Sequence, residues 1–292
     1  MDRPRRTGAA SRDLAPRTPY AGSRPGTALR AAYSIAPTDS APAGSRSPAA
    51  LAVLAEACAN DDPDSLATSM QRLNLQSAAG ITLARGLTPL MAACRHDASR
   101  VARWVVQKRR AAVDDRDAQG NTALHHAAAA GSAACTDVLI EAHAQISAQN
   151  KEGATALHFA TYHGRQQVIG RLLPALNTRD GTGKTPLMLA AFRGRTQAAL
   201  ALLGHGALVN VQDSRGWTAL MYAAFAGRIV ICRELLEAAA SRAATDRSTG
   251  KSAADLARDA GYYEVADMLN NRCKELRTPS LPDGIRMPSL HL

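Results

Sequence analysis

Aromatic residues are scarce in this 292-residue chain: Phe, Trp and Tyr make up 4% of it, although 46% of its residues are hydrophobic. That imbalance excludes a core of large interlocking rings and favours small side chains on closely packed helices. Long apolar runs are missing as well. None approaches the roughly 18 residues that a membrane-spanning helix needs, and no apolar signal segment opens the chain, so a soluble protein without membrane insertion is expected. Cysteine is sparse: Cys58, Cys94, Cys135, Cys232 and Cys273 are odd in number and fall into no metal-ligand spacing. They read as reduced core fillers of an intracellular protein, cytoplasmic or nuclear. Acidic residues are outnumbered, for a net charge of +10, but the excess is local: residues 1–46 carry +5 and residues 274–292 carry +1, leaving +4 for the 227 residues between. The basic character belongs largely to the leader, and nothing in the middle demands a nucleic-acid partner.

The stretch DGTGKTPLMLAAFRG, residues 180–194, carries a GTGKT that invites a nucleotide-binding reading. A phosphate-cradling loop needs a glycine five residues before the Gly-Lys-Thr so that the backbone can curl round the phosphates. That position is Thr178, and the near-match TGKSAADLA at 249–257 fails at the same step, at Thr245. Both stretches belong to another pattern, which emerges when the chain is laid against itself. GLTPLMAAC from Gly86, GNTALHHAA from Gly120, GATALHFAT from Gly153, GKTPLMLAA from Gly183, GWTALMYAA from Gly216 and GKSAADLAR from Gly250 align, with glycines 34, 33, 30, 33 and 34 residues apart. A fixed period in this range signals stacked repeats.

One copy can be read physically. Thr or Ser at 88, 122, 155, 185, 218 and 252 can cap a first helix by accepting a backbone N–H bond. Pro89 and Pro186 suit the first helical position, where a missing N–H costs nothing. Leucines and paired alanines follow, then a glycine at 131, 164, 194, 227 and 261, suited to the left-handed residue that ends a helix. A second apolar helix and a short extended stretch complete the unit. In the third copy, PALNTRD at 174–180 lacks the Gly-Ala step seen at Gly206 and Ala207, so its finger is expected to sit differently. NDDPD at 60–64 lacks the ligand alternation of a calcium loop and reads as a turn between helices with capping residues.

Through these six segments the chain resembles the ankyrin-repeat family over roughly residues 50–271. The resemblance implies an all-α ankyrin-type helical repeat solenoid, helix-turn-helix units joined by β-hairpin-like fingers. The expected organisation is a disordered basic leader over 1–46, too poor in large apolar residues to order itself, and a degenerate capping repeat over 47–85. Six repeats then occupy 86–271, starting near 86, 120, 153, 183, 216 and 250, and a flexible tail covers 272–292. In the family, the position of His125 and His158 is commonly histidine, with the ring tying neighbouring loops together. The adjacent His126 has no reading from the sequence.

The resemblance also implies partner binding on finger tips and exposed first-helix ends. Carried over residue by residue, those positions include Tyr162, His163, Lys184, Phe192, Arg193, Trp217 and Phe225, with Arg215 beside them. Four aromatics in three consecutive copies mark an expected interface centre in a chain this poor in aromatics. QKRR at 107–110 is expected to be a solvated helix end, with a nuclear-import or acidic-partner role as the alternative. In the tail, RTPSLP and RMPSLH place Arg three residues before Ser280 and Ser289, a pattern basophilic kinases read, and the first resembles the phospho-motif that 14-3-3 proteins dock. No nucleophile, base and orienting group recur together, and no cofactor or metal motif is present. The expectation is therefore a monomeric, non-catalytic protein-binding module, an adaptor, scaffold or inhibitor. The short stretch after the last repeat predicts no ubiquitin-ligase box there. The alternative is a nucleic-acid-associated or nuclear regulatory factor that uses the arginine-rich leader.

Overall fold

In a computed structural model, residues 48–72, 83, 86–109 and 112–270 are described, and they contain fourteen α-helices and no strand. The helices come in pairs. α1 (Pro48–Ala59) precedes α2 (Pro63–Arg72); α3 (Pro89–Arg95) precedes α4 (Ser99–Arg109); α5 (Ala123–Ala130) precedes α6 (Ala133–Glu141). α7 (Ala156–His163) is followed by the short α8 (Gln166–Ile169), α9 (Pro186–Arg193) by α10 (Thr196–Gly204), α11 (Ala219–Phe225) by α12 (Ile229–Glu237), and α13 (Ala253–Asp259) by α14 (Tyr263–Asn270). First helices pack on first helices and second helices on second helices, so the chain is an all-α solenoid of two helical layers. The leader 1–46, the tail 272–292 with Ser280, Ser289 and Cys273, and the charged side chains of the QKRR stretch lie outside the described residues.

Small side chains let the first helices stack closely, since interaxial distance follows side-chain size at the contact. Ala92 and Ala93, Ala127 and Ala128, Ala190 and Ala191, and Ala223 and Ala224 are all buried, with a leucine before each pair. Cys58, Cys94, Cys135 and Cys232 are free and buried among them. Burial pushes the Cys58 and Cys232 thiols up to about 12, as inert core residues require. Pro89 and Pro186 open their helices as expected. Asp62 Oδ1 caps α2 by accepting from the amides of Asp64 and Ser65.

The cap itself takes two forms. Thr88, Thr185, Thr218 and Ser252 accept from the amide three residues on, at 3.2–3.4 Å. At Thr122 and Thr155 the hydroxyl instead meets the Nδ1 of His125 and His158, at 2.9 and 2.8 Å. The Thr122 amide also donates to His125 Nδ1, which leaves the proton on Nε2 to donate to the Ala154 carbonyl of the next repeat at 3.0 Å. His158 Nε2 reaches the Lys184 carbonyl in the same way, at 3.1 Å. Each ring is thus fully used while neutral, and burial pushes His125 down to about 4 from its ordinary 6.5.

The fingers are tight turns built on an acid or amide that is buried at Asp117, Asn150 and Asp213 and half-buried at Asp180. Oδ1 of Asp117, Asn150, Asp180 and Asp213 each accepts two amides, from the residues two and four positions on. Successive turns are then stitched by one main-chain bond each: Lys151 N–H to Gln119 O, Gly181 to Glu152 O, Ser214 to Thr182 O and Arg247 to Arg215 O, at 2.8–3.1 Å. At the tightest crossing Gly153 holds φ +73, and any Cβ there would run into the Gly181 backbone. The GTGKT stretch is one of these turns, filled by its own bonds: the Lys184 ammonium donates to Thr182 Oγ1 and the Thr182 hydroxyl to Asp180.

The third finger keeps this geometry, contrary to the expectation from its shorter spacing: Asp180 N–H still donates to Lys184 O at 2.8 Å. The deletion falls on the second helix instead. α6, α10 and α12 have nine residues each and end near a left-handed residue, His143, Gly206 or Ala239, whereas α8 has four and leads into a 3-10 turn at Leu173–Ala175. The inter-finger bonds hold the turn in register, and the less constrained outer layer absorbs the loss.

Candidate protein-binding surface

The C-terminal ends of α7, α9 and α11 and the fingers before α9 and α11 bring the predicted residues onto one side of repeats three to five. They do not all face solvent. Trp217 is 3% and Tyr162 4% exposed, which corrects the expectation that both lie open. Trp217 is buried because its ring packs at 5.0 Å from Tyr222 and 5.4 Å from Phe225. Tyr162 is covered by the Arg193 guanidinium, 4.4 Å from its ring centre, with His163 against its edge at 5.2 Å. Phe192 meets Tyr222 at 6.0 Å. Phe192, Phe225, His163 and Lys184 are half-buried, and Arg193 and Arg215 are exposed. The surface therefore consists of two phenyl edges and several cations resting on a buried layer of Tyr162, Trp217 and Tyr222. Burial pushes the Lys184 ammonium below its ordinary value, with Asp180 and Asp213 working against it.

Two side chains without a role in the sequence pattern anchor this scaffold. Tyr222 is wholly buried, and its hydroxyl donates to Asp213 Oδ2 at 2.7 Å, so that the finger carrying Trp217 is tied to the helix carrying Phe225. His126 holds the same place in repeat two and bonds Asp117 Oδ2 through Nε2 at 3.0 Å. Burial raises the Asp117 carboxyl, but bonds from His126 and Asn121 outweigh it and hold the group below its ordinary range. Asp213 and Tyr222 stand in the relation of Asp117 and His126, nine residues apart; pairing these two polar exceptions would have exposed the shared role. A repeated Gly-Arg, at 164–165, 194–195 and 227–228, is a further signal in the sequence. Its arginines are exposed.

Among the described residues no three His, Cys, Asp or Glu side chains gather as metal ligands would, and no helix is long and apolar enough to cross a membrane. A family model described as ankyrin repeats (3 copies) matches residues 54–150, 142–213 and 202–277. Similar proteins include the E3 ubiquitin-protein ligase KEG of Arabidopsis thaliana, 30% identical over 53% of this chain and 9% of that one. The nuclear factor NF-kappa-B p105 subunit of Mus musculus is 34% identical over 42% of this chain and 13% of its own length. The transient receptor potential cation channel subfamily A member 1 of Homo sapiens is 36% identical over 33% of this chain and 9% of its own. The match thus spans 9–13% of the length of these relatives.

Proposed function

The chain belongs to the ankyrin-repeat family, whose repeats are protein-interaction modules, and from that premise we propose a non-catalytic adaptor, scaffold or inhibitor that grips a partner protein with repeats three to five. The observation that carries this reading is the aromatic cluster of Phe192, Trp217, Tyr222 and Phe225, which offers two half-exposed phenyl edges on a rigid, buried support. Interfaces concentrate their energy in such preorganised anchors, because little side-chain entropy remains to be lost. Phe192, Phe225, Arg193, Arg215, Lys184 and His163 make the contacts; Tyr162 and Trp217 position them. The relatives point the same way: a ligase, a nuclear factor subunit and a cation channel subfamily member share with this chain a repeat segment covering a small part of each.

The test is affinity capture from nuclease-treated native lysate, comparing the intact chain with a Phe192→Ala, Phe225→Ala, Arg215→Ala variant verified as folded by circular dichroism. A protein partner lost in the variant supports the reading. Retention of every partner moves binding to another face or to the terminal segments. Disappearance of all partners on nuclease treatment favours a nucleic-acid-associated role for the basic leader.

A further inference from the structure

Arg165, Arg195 and Arg228 each follow the glycine that closes a first helix, and each side chain runs back over the equivalent glycine of the preceding repeat. Arg165 Cδ comes to 2.7 Å from where a Gly131 Cβ would stand, Arg195 Cδ to 3.0 Å at Gly164 and Arg228 Nε to 2.8 Å at Gly194. Arg193 joins this row from the end of α9, over Tyr162. All four are exposed, and none is paired with an acid among the described residues. On the outer layer, by contrast, Arg103 pairs with Glu141 and Arg171 with Asp137. Residues 153–212 hold six Arg or Lys and one acid, Asp180, whose Oδ1 is engaged in its own finger turn.

Cations at helix C-termini complement the helix dipole, and Arg165 Nε does donate to the Ala129 carbonyl at 3.0 Å. That contact uses one of the five N–H donors a guanidinium carries. Packing on the repeat below preorganises the side chains, and the remaining donors form forks suited to carboxylates.

We propose that this arginine row binds an extended acidic peptide segment of the partner, with one carboxylate per repeat. The proposal rests on the protein-binding reading above. Neighbouring helices lie about 8–10 Å apart, and a peptide extended as a polyproline II helix rises about 3.1 Å per residue with three residues per turn, so every third side chain faces the same way and the row matches Asp or Glu at every third position. The row is bounded at one end by Ser132, bonded to Asp97, and at the other by Tyr262, which replaces arginine over Gly227. A nucleic-acid strand fits less well, because bases need open aromatic faces while Tyr162 is capped by Arg193 and Trp217 is buried.

Fluorescence anisotropy on the full chain tests this with three labelled nine-residue peptides: Glu at every third position, the same composition with its glutamates contiguous, and Gln in place of Glu. The spaced Glu peptide is expected to bind about tenfold tighter than either control. Arg165→Gln, Arg195→Gln, Arg228→Gln should abolish that preference, while Arg171→Gln on the outer layer leaves it intact. Equal binding of all three peptides to the intact protein overturns the proposal whatever the variants do, as does tighter binding of a nine-nucleotide single strand. If the peptides fail while lysate capture still depends on Phe192 and Phe225, the acidic-segment proposal falls and the protein-binding reading stands. If the spaced peptide binds as expected while capture is indifferent to Phe192 and Phe225, the arginine row stands and the aromatic contact surface falls.

Discussion

The two layers of the solenoid use the same residue types in opposite ways. In the inner layer of first helices and fingers, polar groups are buried and bonded across repeats: His125 to Ala154 O, His158 to Lys184 O, Tyr222 to Asp213. At its edge Arg165, Arg193, Arg195 and Arg228 have no acid paired with them among the described residues. In the outer layer the second helices meet through apolar side chains, and arginines such as Arg103 and Arg171 find carboxylates in the open. Geometry is therefore specified on the inside and tolerated on the outside, which is why the three-residue deletion in repeat three shortens α8 and leaves its finger in register. A surface meant to recognise a partner belongs on the layer whose positions are fixed.

The sharpest way to break this contrast is to remove the ring at its centre. Trp217→Ala should cost about 3–5 kcal/mol, the range for deleting a buried aromatic, because Tyr222 and Phe225 lose their packing together. Urea unfolding followed by far-UV circular dichroism measures it, and a loss under about 1 kcal/mol would show the ring to be a surface element after all.

Acid should attack the same layer next. A histidine whose folded pKa of about 4 lies below its ordinary 6.5 contributes stability that is complete above the higher value and drains away as pH falls toward the lower. Between pH 7.5 and 4.5 His125 alone should account for about 2–3 kcal/mol, since a proton on Nδ1 would face the Thr122 amide that now donates to it. Burial lowers His158 as well, in the same direction. Methionine fills the same place at 91, 188 and 221, so His125→Met should keep the fold and flatten the acid limb of stability against pH. An unchanged limb would mean that the titration lies elsewhere.

How much of this is legible in the letters follows the same division. Period, caps, prolines and helix-closing glycines are local chemistry, and they can be read directly; so can the role of His125, through its family position. The exposure of Tyr162 and Trp217 cannot, because burial there depends on what the next repeat or the same helix supplies: Arg193 over one ring, Tyr222 and Phe225 against the other. His126 makes sense only beside Tyr222, a different residue doing the same job three repeats later. Single-copy reading finds what each repeat does for itself and misses what repeats do for one another.

At the proposed binding surface, Phe225→Ala should weaken partner capture by about 2 kcal/mol, near thirtyfold, while Phe159→Leu, which copies Leu189 at the equivalent place in the next repeat, leaves it unchanged. Titrating the captured partner by calorimetry separates the two, and equal loss in both would mean that the fold rather than the contact had been damaged.

The smallest effect is predicted on the outer layer. The Arg171 and Asp137 pair is bidentate but roughly two-fifths exposed, at 36% and 45%, where screening and side-chain entropy offset most of the attraction. Arg171→Ala should therefore cost under about 1 kcal/mol in urea unfolding. It should leave binding of the spaced acidic peptide unaltered, because its guanidinium already has a carboxylate. Arg195→Ala, on the inner edge and without an acidic partner, should be as mild in stability and yet weaken that peptide. The pair of substitutions distinguishes charge held by the fold from charge held out to a partner, and an Arg171 variant that loses peptide binding as readily as the Arg195 variant would erase the difference between the two layers.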